Sequence, residues 1–373
     1  MKEFYDSKVR FIINLNQQKM PKLGLGLYKS LLNKDNFNFA RQAGATHLVV
    51  QLVDYIKGGS NPTLSQNYLN GWGITKNQGK LWEFDDLKRL KSEIESHGLK
   101  WEAIENFDPS HWFDILLNGP KRDAQMSDLK YMVANIGKAG IPIIGYYFSI
   151  AGVWGWTNKP YGRGDAMTVG FNENDVDIHQ PIKQGMVWNM TYDTDAENTN
   201  LQPISREEMW ERFSWFLNEI LPVAEEYGVR MVAHPDDPPV PEMRNSARLF
   251  HSISEYEKLL QVSNSPSNGF EFCMGTLQEM KEGNVLETLD KHSKAGNIGY
   301  IHFRNVKGKV PNYREVFVDE GDLNMAEAVR ILKKNNYNGI LIPDHSPAMS
   351  CDAPWHASMA YALGYMKALI DTV

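Results

Sequence analysis

A recurring junction constrains this chain more than any other feature. Seven times a polar, helix-like stretch runs into a glycine, then into four to seven mainly apolar or β-branched residues that end on polar ones. The copies read A-G-A-T-H-L-V-V-Q-L at Gly44, H-G-L-K-W-E-A-I-E-N at Gly98, A-G-I-P-I-I-G-Y-Y-F at Gly140 and Y-G-V-R-M-V-A-H-P at Gly228. They continue as N-G-F-E-F-C-M-G at Gly269, A-G-N-I-G-Y-I-H-F-R-N after Gly296 and Y-N-G-I-L-I-P-D-H at Gly339. K-L-G-L-G-L-Y near residue 22 brings the candidate strands to eight. Each glycine fits the left-handed position that ends a helix, and each apolar run fits a strand buried on both faces. Helical spacing fills the gaps at 84–97, 121–139, 246–263, 277–295, 324–337 and 356–371, and the capping box Ser205–Glu208 opens a helix that runs to Tyr227.

Eight strands alternating with helices predict an α/β chain folded as a (β/α)₈ TIM barrel, one domain over residues 1–373. A doubly wound open sheet would usually carry a glycine-rich phosphate fingerprint after its first strand, and G-L-G-L-Y-K at Gly24 lacks the third glycine. One connection breaks the rhythm: residues 150–204, after the fourth strand, form a long insertion rich in Gly, Asn, Asp, Trp and Thr. Loops of that length in a compact domain often serve function, so it is expected to cover the catalytic end of the barrel. Trp154 and Trp156 in it could form a sugar-stacking wall or simply pack.

Composition removes other classes. At 42% hydrophobic and 23% charged residues the chain is neither disordered nor low-complexity. It has no apolar run of membrane-spanning length, and its N-terminus reads as no secretory signal. Two cysteines, Cys273 and Cys351, cannot build a disulfide framework, so a reducing cytoplasm is expected. A net charge of −7 without a basic block argues against nucleic acid but leaves room for a small anionic substrate.

The last four strands each end in a residue that can ligate a metal: His234, Cys273, His302 and Asp344, separated by 39, 29 and 42 residues. These spacings far exceed those of a zinc finger, but each equals one βα unit, so closure of the barrel gathers the four around one axis. Imidazole, thiolate and carboxylate together suit a divalent transition metal. Asp237 in H-P-D-D-P-P, with Asp236 beside it, could orient His234. Arg304 could grip a substrate carboxylate through two nitrogens, and His345 is a candidate acid or base. Glu105, Asn106, Tyr147 and His111 are further candidates for binding substrate.

At these residues the sequence resembles the mannonate dehydratase family of the xylose-isomerase-like superfamily. The likeness is carried by A-I-E-N-F from Ala103, N-I-G-K-A-G-I-P from Asn135, H-P-D-D-P-P from His234, S-P-S-N-G-F-E-F-C-M-G-T from Ser265, H-F-R-N-V from His302, E-G-D-L-N-M from Glu320 and P-D-H from Pro343. The resemblance implies dehydration of D-mannonate to 2-keto-3-deoxy-D-gluconate, with Mn²⁺ or Fe²⁺ on His234, Cys273, His302 and Asp344. It also implies an acid/base role for His345 and a substrate contact for Arg304. The partner of His345 is then Tyr361, Asp237 or a metal-bound water, the substrate is a small sugar acid, and a homo-oligomer is expected. The chain departs from the family at Ile342 and Ser346, where an arginine and a glycine are usual. It departs again around Ala360 and Tyr365, where a tyrosine and an arginine are usual. A metal-dependent sugar isomerase or epimerase on the same scaffold is the alternative activity.

Overall fold

The computed structural model describes residues 19–53, 73–75 and 80–373, so the expectation about a secretory signal falls outside the described residues. Eight parallel strands close a barrel in chain order: β1 (Lys22–Tyr28), β2 (His47–Gln51), β3 (Lys100–Glu105), β4 (Ile143–Tyr146), β5 (Arg230–Ala233), β6 (Asn268–Cys273), β7 (Ile298–His302) and β8 (Ile340–Ile342). β8 pairs back onto β1 and completes the ring. All eight are the segments read from the sequence, and helices separate them as a (β/α)₈ barrel requires. The strands are buried on both faces, which is why they read as continuous apolar runs. Inside the ring Val49, Ala103, Ile143, Val232, Tyr300, Ile340 and Ile342 pack as one cluster, while a larger apolar layer joins the barrel to its helices.

The helices follow their caps. Ser205 accepts from the Glu208 amide at 3.2 Å, and the Glu208 carboxylate accepts from the Ser205 amide at 2.8 Å, which starts the helix Arg206–Glu226. Two expected helices are shorter than their periodicity suggested. The stretch 246–263 is helical only over Ile253–Glu257 and Leu259–Val262, because the Ser252 side chain caps at Glu255 and fixes a later start. The stretch 277–295 breaks between Met274–Glu279 and Val285–Ala295, where Gly283 takes a φ of 104° and Asn284 caps the second helix. A helix over Pro109–Leu117, capped by Asp108, was not anticipated. No helix among the described residues is long and apolar enough to cross a membrane.

The insertion after β4 builds a hairpin from strands Trp156–Gly162 and Ala166–Asn172. This hairpin pairs with a second one, Asn305–Lys309 and Asn312–Val316, from the loop after β7. The product is a four-stranded antiparallel sheet made from two loops of the same barrel end. Its outer turn is tied down where Arg163 meets Asp319 through two nitrogens, at 3.0 and 3.4 Å.

Register sets the level of the site. Cys273 pairs with His302, and His302 with Ile342, so these strand ends lie side by side. One glycine inside the barrel keeps room for them: a Cβ on Gly145 of β4 would collide with the Tyr300 hydroxyl and the Glu271 carboxylate. Gly145→Ala is therefore expected to cost about 1–3 kcal/mol through overpacking. Gly364→Ala, in the last helix with nothing within 4 Å of the added methyl, should instead add about 0.5–1 kcal/mol. Thermal unfolding of the two variants should show melting temperatures displaced in opposite directions, and equal displacements would refute the packing argument.

Candidate active site

The C-terminal mouth of the barrel opens into a cavity lined by residues at all eight strand ends, from Tyr28 and Gln51 round to Asp344 and His345. At its floor the ligand atoms of His234, Cys273 and His302 all lie within 4.8 Å of one another. The two imidazole rings are 5.3 Å apart between centres. His234 Nδ1 sits 2.6 Å from the Pro235 carbonyl, so that edge carries the proton and Nε2 is left as the donor. Cys273 Sγ accepts from the Thr276 amide and hydroxyl at 3.4 and 3.2 Å. Burial pushes its thiol up, but the Arg304 guanidinium and the His234 and His302 imidazoles outweigh burial and hold it well below the ordinary thiol range.

Asp344 stands at the edge of this trio. Its Oδ2 lies 3.3 Å from His302 Nδ1, 3.1 Å from His345 Nε2 and 3.4 Å from Arg304 Nε. Burial raises its carboxyl, and the two imidazoles more than reverse that and hold it well below the usual range. His345 is gripped at its other nitrogen by Glu315, 2.5 Å from Nδ1. Burial alone would lower its pKa; Asp344 and Glu315 together raise it to about 10. Nitrogen, sulfur and oxygen donors on four strand ends fit a divalent transition ion. The surroundings fit one as well, because Glu105 and Glu271 both crowd the buried His302 ring, and burial and Glu105 push the Glu271 carboxyl up to about 8.

Arg304 does something other than the sequence suggested. Its Nη2 meets Asp237 at 2.6 Å, its Nη1 meets Glu279 at 2.8 Å and Glu315 at 3.1 Å, and its Nε faces Asp344. Both Nη atoms are thus bonded to carboxylates of the protein itself, and Nε, which faces Asp344 without a hydrogen bond, leaves no paired edge for gripping a substrate carboxylate. Asp237 is equally occupied: Oδ2 also accepts from the Thr276 hydroxyl at 2.9 Å, and Oδ1 accepts from the Tyr313 hydroxyl at 2.9 Å. Burial raises the Asp237 carboxyl, and Arg304 and His234 hold it below its usual range.

Other expected residues fall in different places. Asn106, at a left-handed φ of 67°, lines the cavity with its buried Oδ1 unpartnered among the described residues. Tyr147 also lines it, but its hydroxyl accepts from Arg248 at 2.8 Å, and Arg248 in turn meets Asp236 at 3.4 Å. Glu105 lies on the floor beside His302, at 3.2 Å. Tyr361 does not reach the cavity: its hydroxyl sits 3.3 Å from Arg163 beside the Arg163–Asp319 pair, because its turn of the last helix faces that corner. His111 is also away from it, bonded to the Lys80 carbonyl at 2.9 Å and edge-on to Trp82. Of the two tryptophans Trp156 lines the cavity, while Trp154 packs under the Arg244 guanidinium at 4.0 Å. Ile342, where the family arginine was expected, is 1% exposed inside the barrel.

Sequence reasoning missed Glu271, Glu279, Tyr313 and Glu315. Glu271 carried a signal, since it precedes Cys273 by two residues and so shares its face of β6. Glu315 and Tyr313 carried none, because the hairpin that presents them forms by pairing with a loop more than a hundred residues away.

The family model for D-mannonate dehydratase (UxuA) matches residues 40–373. The mannonate dehydratase of Streptococcus suis strain 05ZYH33 is 30% identical over 277 residues, which cover 72% of this chain and 75% of that protein. The mannonate dehydratase of Oceanobacillus iheyensis is 30% identical over 280 residues, covering 72% and 78%. Among solved structures, the mannonate dehydratase from Streptococcus suis serotype 2 superposes with a TM-score of 0.73 at 24% identity, over 95% of this chain and 93% of that one. D-psicose 3-epimerase from Clostridium cellulolyticum H10 shares the fold at a TM-score of 0.56 and 12% identity, over 94% and 99%. With a family match over residues 40–373 and a relative 30% identical across 72% of this chain, the chain belongs to the D-mannonate dehydratase family and is a hydro-lyase.

Proposed function

We propose that this chain removes water from a sugar acid of the mannonate type, with a divalent metal held by His234, Cys273, His302 and Asp344. The observation that carries the proposal is the meeting of His234, Cys273 and His302 at the cavity floor, with Asp344 and His345 on its edge. When bound, an ion of the Mn²⁺ or Fe²⁺ kind supplies Lewis acidity for the charge that develops as a proton leaves the carbon next to a carboxylate.

The chain's own residues supply the rest. His345, kept as an imidazolium by Asp344 and Glu315, is the general acid: it gives its proton to the hydroxyl that departs from carbon 3 as water, while the carbon-2 proton passes to solvent, which in turn reprotonates His345. Glu315 positions it by fixing Nδ1 and turning Nε2 toward the cavity side of Asp344. Asn106 offers its unbonded Oδ1 to a substrate hydroxyl, and Trp156 and Trp188 wall the cavity against water. Arg304 and Asp237 serve as a scaffold for the other groups rather than as substrate grip and base. Tyr361 and His111 take no part.

His345→Gln should lower kcat by about 10²–10⁴-fold with bound metal unchanged; an unaltered kcat on aldonates would remove His345 from the mechanism. Cys273→Ser replaces a thiolate with a neutral hydroxyl, so metal content and α-keto acid production should fall together while circular dichroism stays that of the parent. Undiminished metal content in Cys273→Ser would refute the ligand set. Chelation of the parent protein should abolish the reaction, and added Mn²⁺ or Fe²⁺ should restore it. A chelated protein that forms α-keto acid from D-mannonate at the original rate would refute metal dependence.

A further inference from the structure

The barrel floor holds a second group of donors that the chemistry above leaves unused. Glu105 of β3 and Glu271 of β6 both converge on the Nε2 edge of His302 on β7, each with a carboxylate oxygen 3.2 Å from that nitrogen. All three side chains are buried, at 5%, 1% and 2% exposure. We propose that Glu105, Glu271 and His302 Nε2 form a second divalent-cation position beside the first.

Three observations support it. A single N–H on Nε2 can satisfy one carboxylate, yet two face it, so the ring offers the other no donor. Glu105 is already anchored, because Gln51 Nε2 donates to its Oε1 at 2.8 Å and the Tyr300 hydroxyl stands 3.4 Å from its Oε2. Glu271 is held less: its Oε1 faces His302 Nε2, and its buried Oε2 has only the Tyr300 hydroxyl near it among the described residues. The spacing also fits, since ligands about 2.1 Å from an ion at right angles lie about 3 Å apart. Finally, the donor set of two carboxylates and one imidazole is harder than the thiolate centre and suits Mg²⁺ or Mn²⁺.

The inference rests on the proposed metal centre only through His302. Its Nδ1 edge faces Asp344 at 3.3 Å and its Nε2 edge faces the two glutamates, so the ring stands between the two positions. An ion at the second position takes the Nε2 lone pair, and the proton from that nitrogen leaves to solvent. The competing arrangement has Glu105 and Glu271 merely orienting His302 behind a single ion.

The test uses the full chain, stripped with a chelator, titrated with MnCl₂ and desalted, then measured by elemental analysis and electron paramagnetic resonance. The expected result is two Mn²⁺ per chain with a spin-coupled spectrum. Glu271→Gln should bind one, with the six-line signal of an isolated ion. One uncoupled Mn²⁺ per chain in both proteins would overturn the second position and leave the first intact. No bound Mn²⁺ in either protein would overturn both. Should Glu271→Gln fail to fold, the stoichiometry and spectrum of the parent protein decide the matter alone.

Discussion

The site is organised around one buried guanidinium. Arg304, 3% exposed, joins carboxylates from four separate segments: Asp237 after β5, Glu279 in the helix after β6, Glu315 in the hairpin after β7 and Asp344 after β8. A buried arginine is tolerated only where such partners surround it, and each partner is in turn stranded if the arginine goes. Arg304 also sits against Gly275, where any side chain would strike the guanidinium. Its field is the leading influence that keeps Cys273 toward the thiolate. One side chain therefore sets the loop positions, the hairpin and the state of a metal-competent sulfur. This is a structural role, and it explains why both Nη atoms are taken by the protein's own carboxylates.

From that centre the order spreads into the cover. The Trp156 indole donates to the Tyr313 hydroxyl at 2.9 Å, and Tyr313 donates to Asp237. A residue of the β4 insertion is thereby linked through the β7 hairpin to the loop after β5. Arg248 makes a second link, since it bonds Tyr147 and Asp236 on the barrel side and the Gly152 carbonyl in the insertion. Because the two loops share one sheet, the cover is held as a unit by its own backbone ladder and by these side chains. Trp156 also meets the His345 ring edge-on at 5.6 Å between centres, so the cover reaches the proposed acid directly.

What could be read from the sequence follows the same division. The eight strands were legible because a repeated apolar run after a glycine is a local signal, and a closed parallel barrel is a common arrangement that satisfies eight of them. His234, Cys273, His302 and Asp344 were legible because they stand at equivalent points of that repeat. The parts that were not legible depend on contacts between remote segments. Tyr361 was offered only through the resemblance, as a partner of His345, and its hydroxyl is instead held beside the Arg163–Asp319 pair, a contact that forms only once the insertion folds against the last helix. Arg304 was misread because its partners are visible only after four loops converge. Glu315 could not be found at all, since the hairpin that carries it gains its place by pairing with the insertion.

The pattern of protonation at the floor has a single physical reading. Around the mouth stand Glu105, Asp237, Glu271, Glu279, Glu315, Asp344 and the Cys273 thiolate, opposed by one guanidinium and three imidazoles. Negative groups exceed positive ones, and where these groups are so deeply buried the deficit must be met by protons or by added cations. In the protein alone protons meet it: burial and Glu105 push Glu271 up to about 8, and Cys273 and Glu271 carry His234 up to about 9 against the opposing effect of burial. A floor built only for stability would gain from apolar residues of similar volume, because replacing buried ion clusters in this way is often neutral or stabilising. Retaining so many anionic donors, with sulfur and nitrogen among them, makes sense for a floor that exchanges those protons for a divalent ion. The surplus of negative charge and the choice of donor atoms thus point to the same occupant, one by its charge and the other by its chemistry.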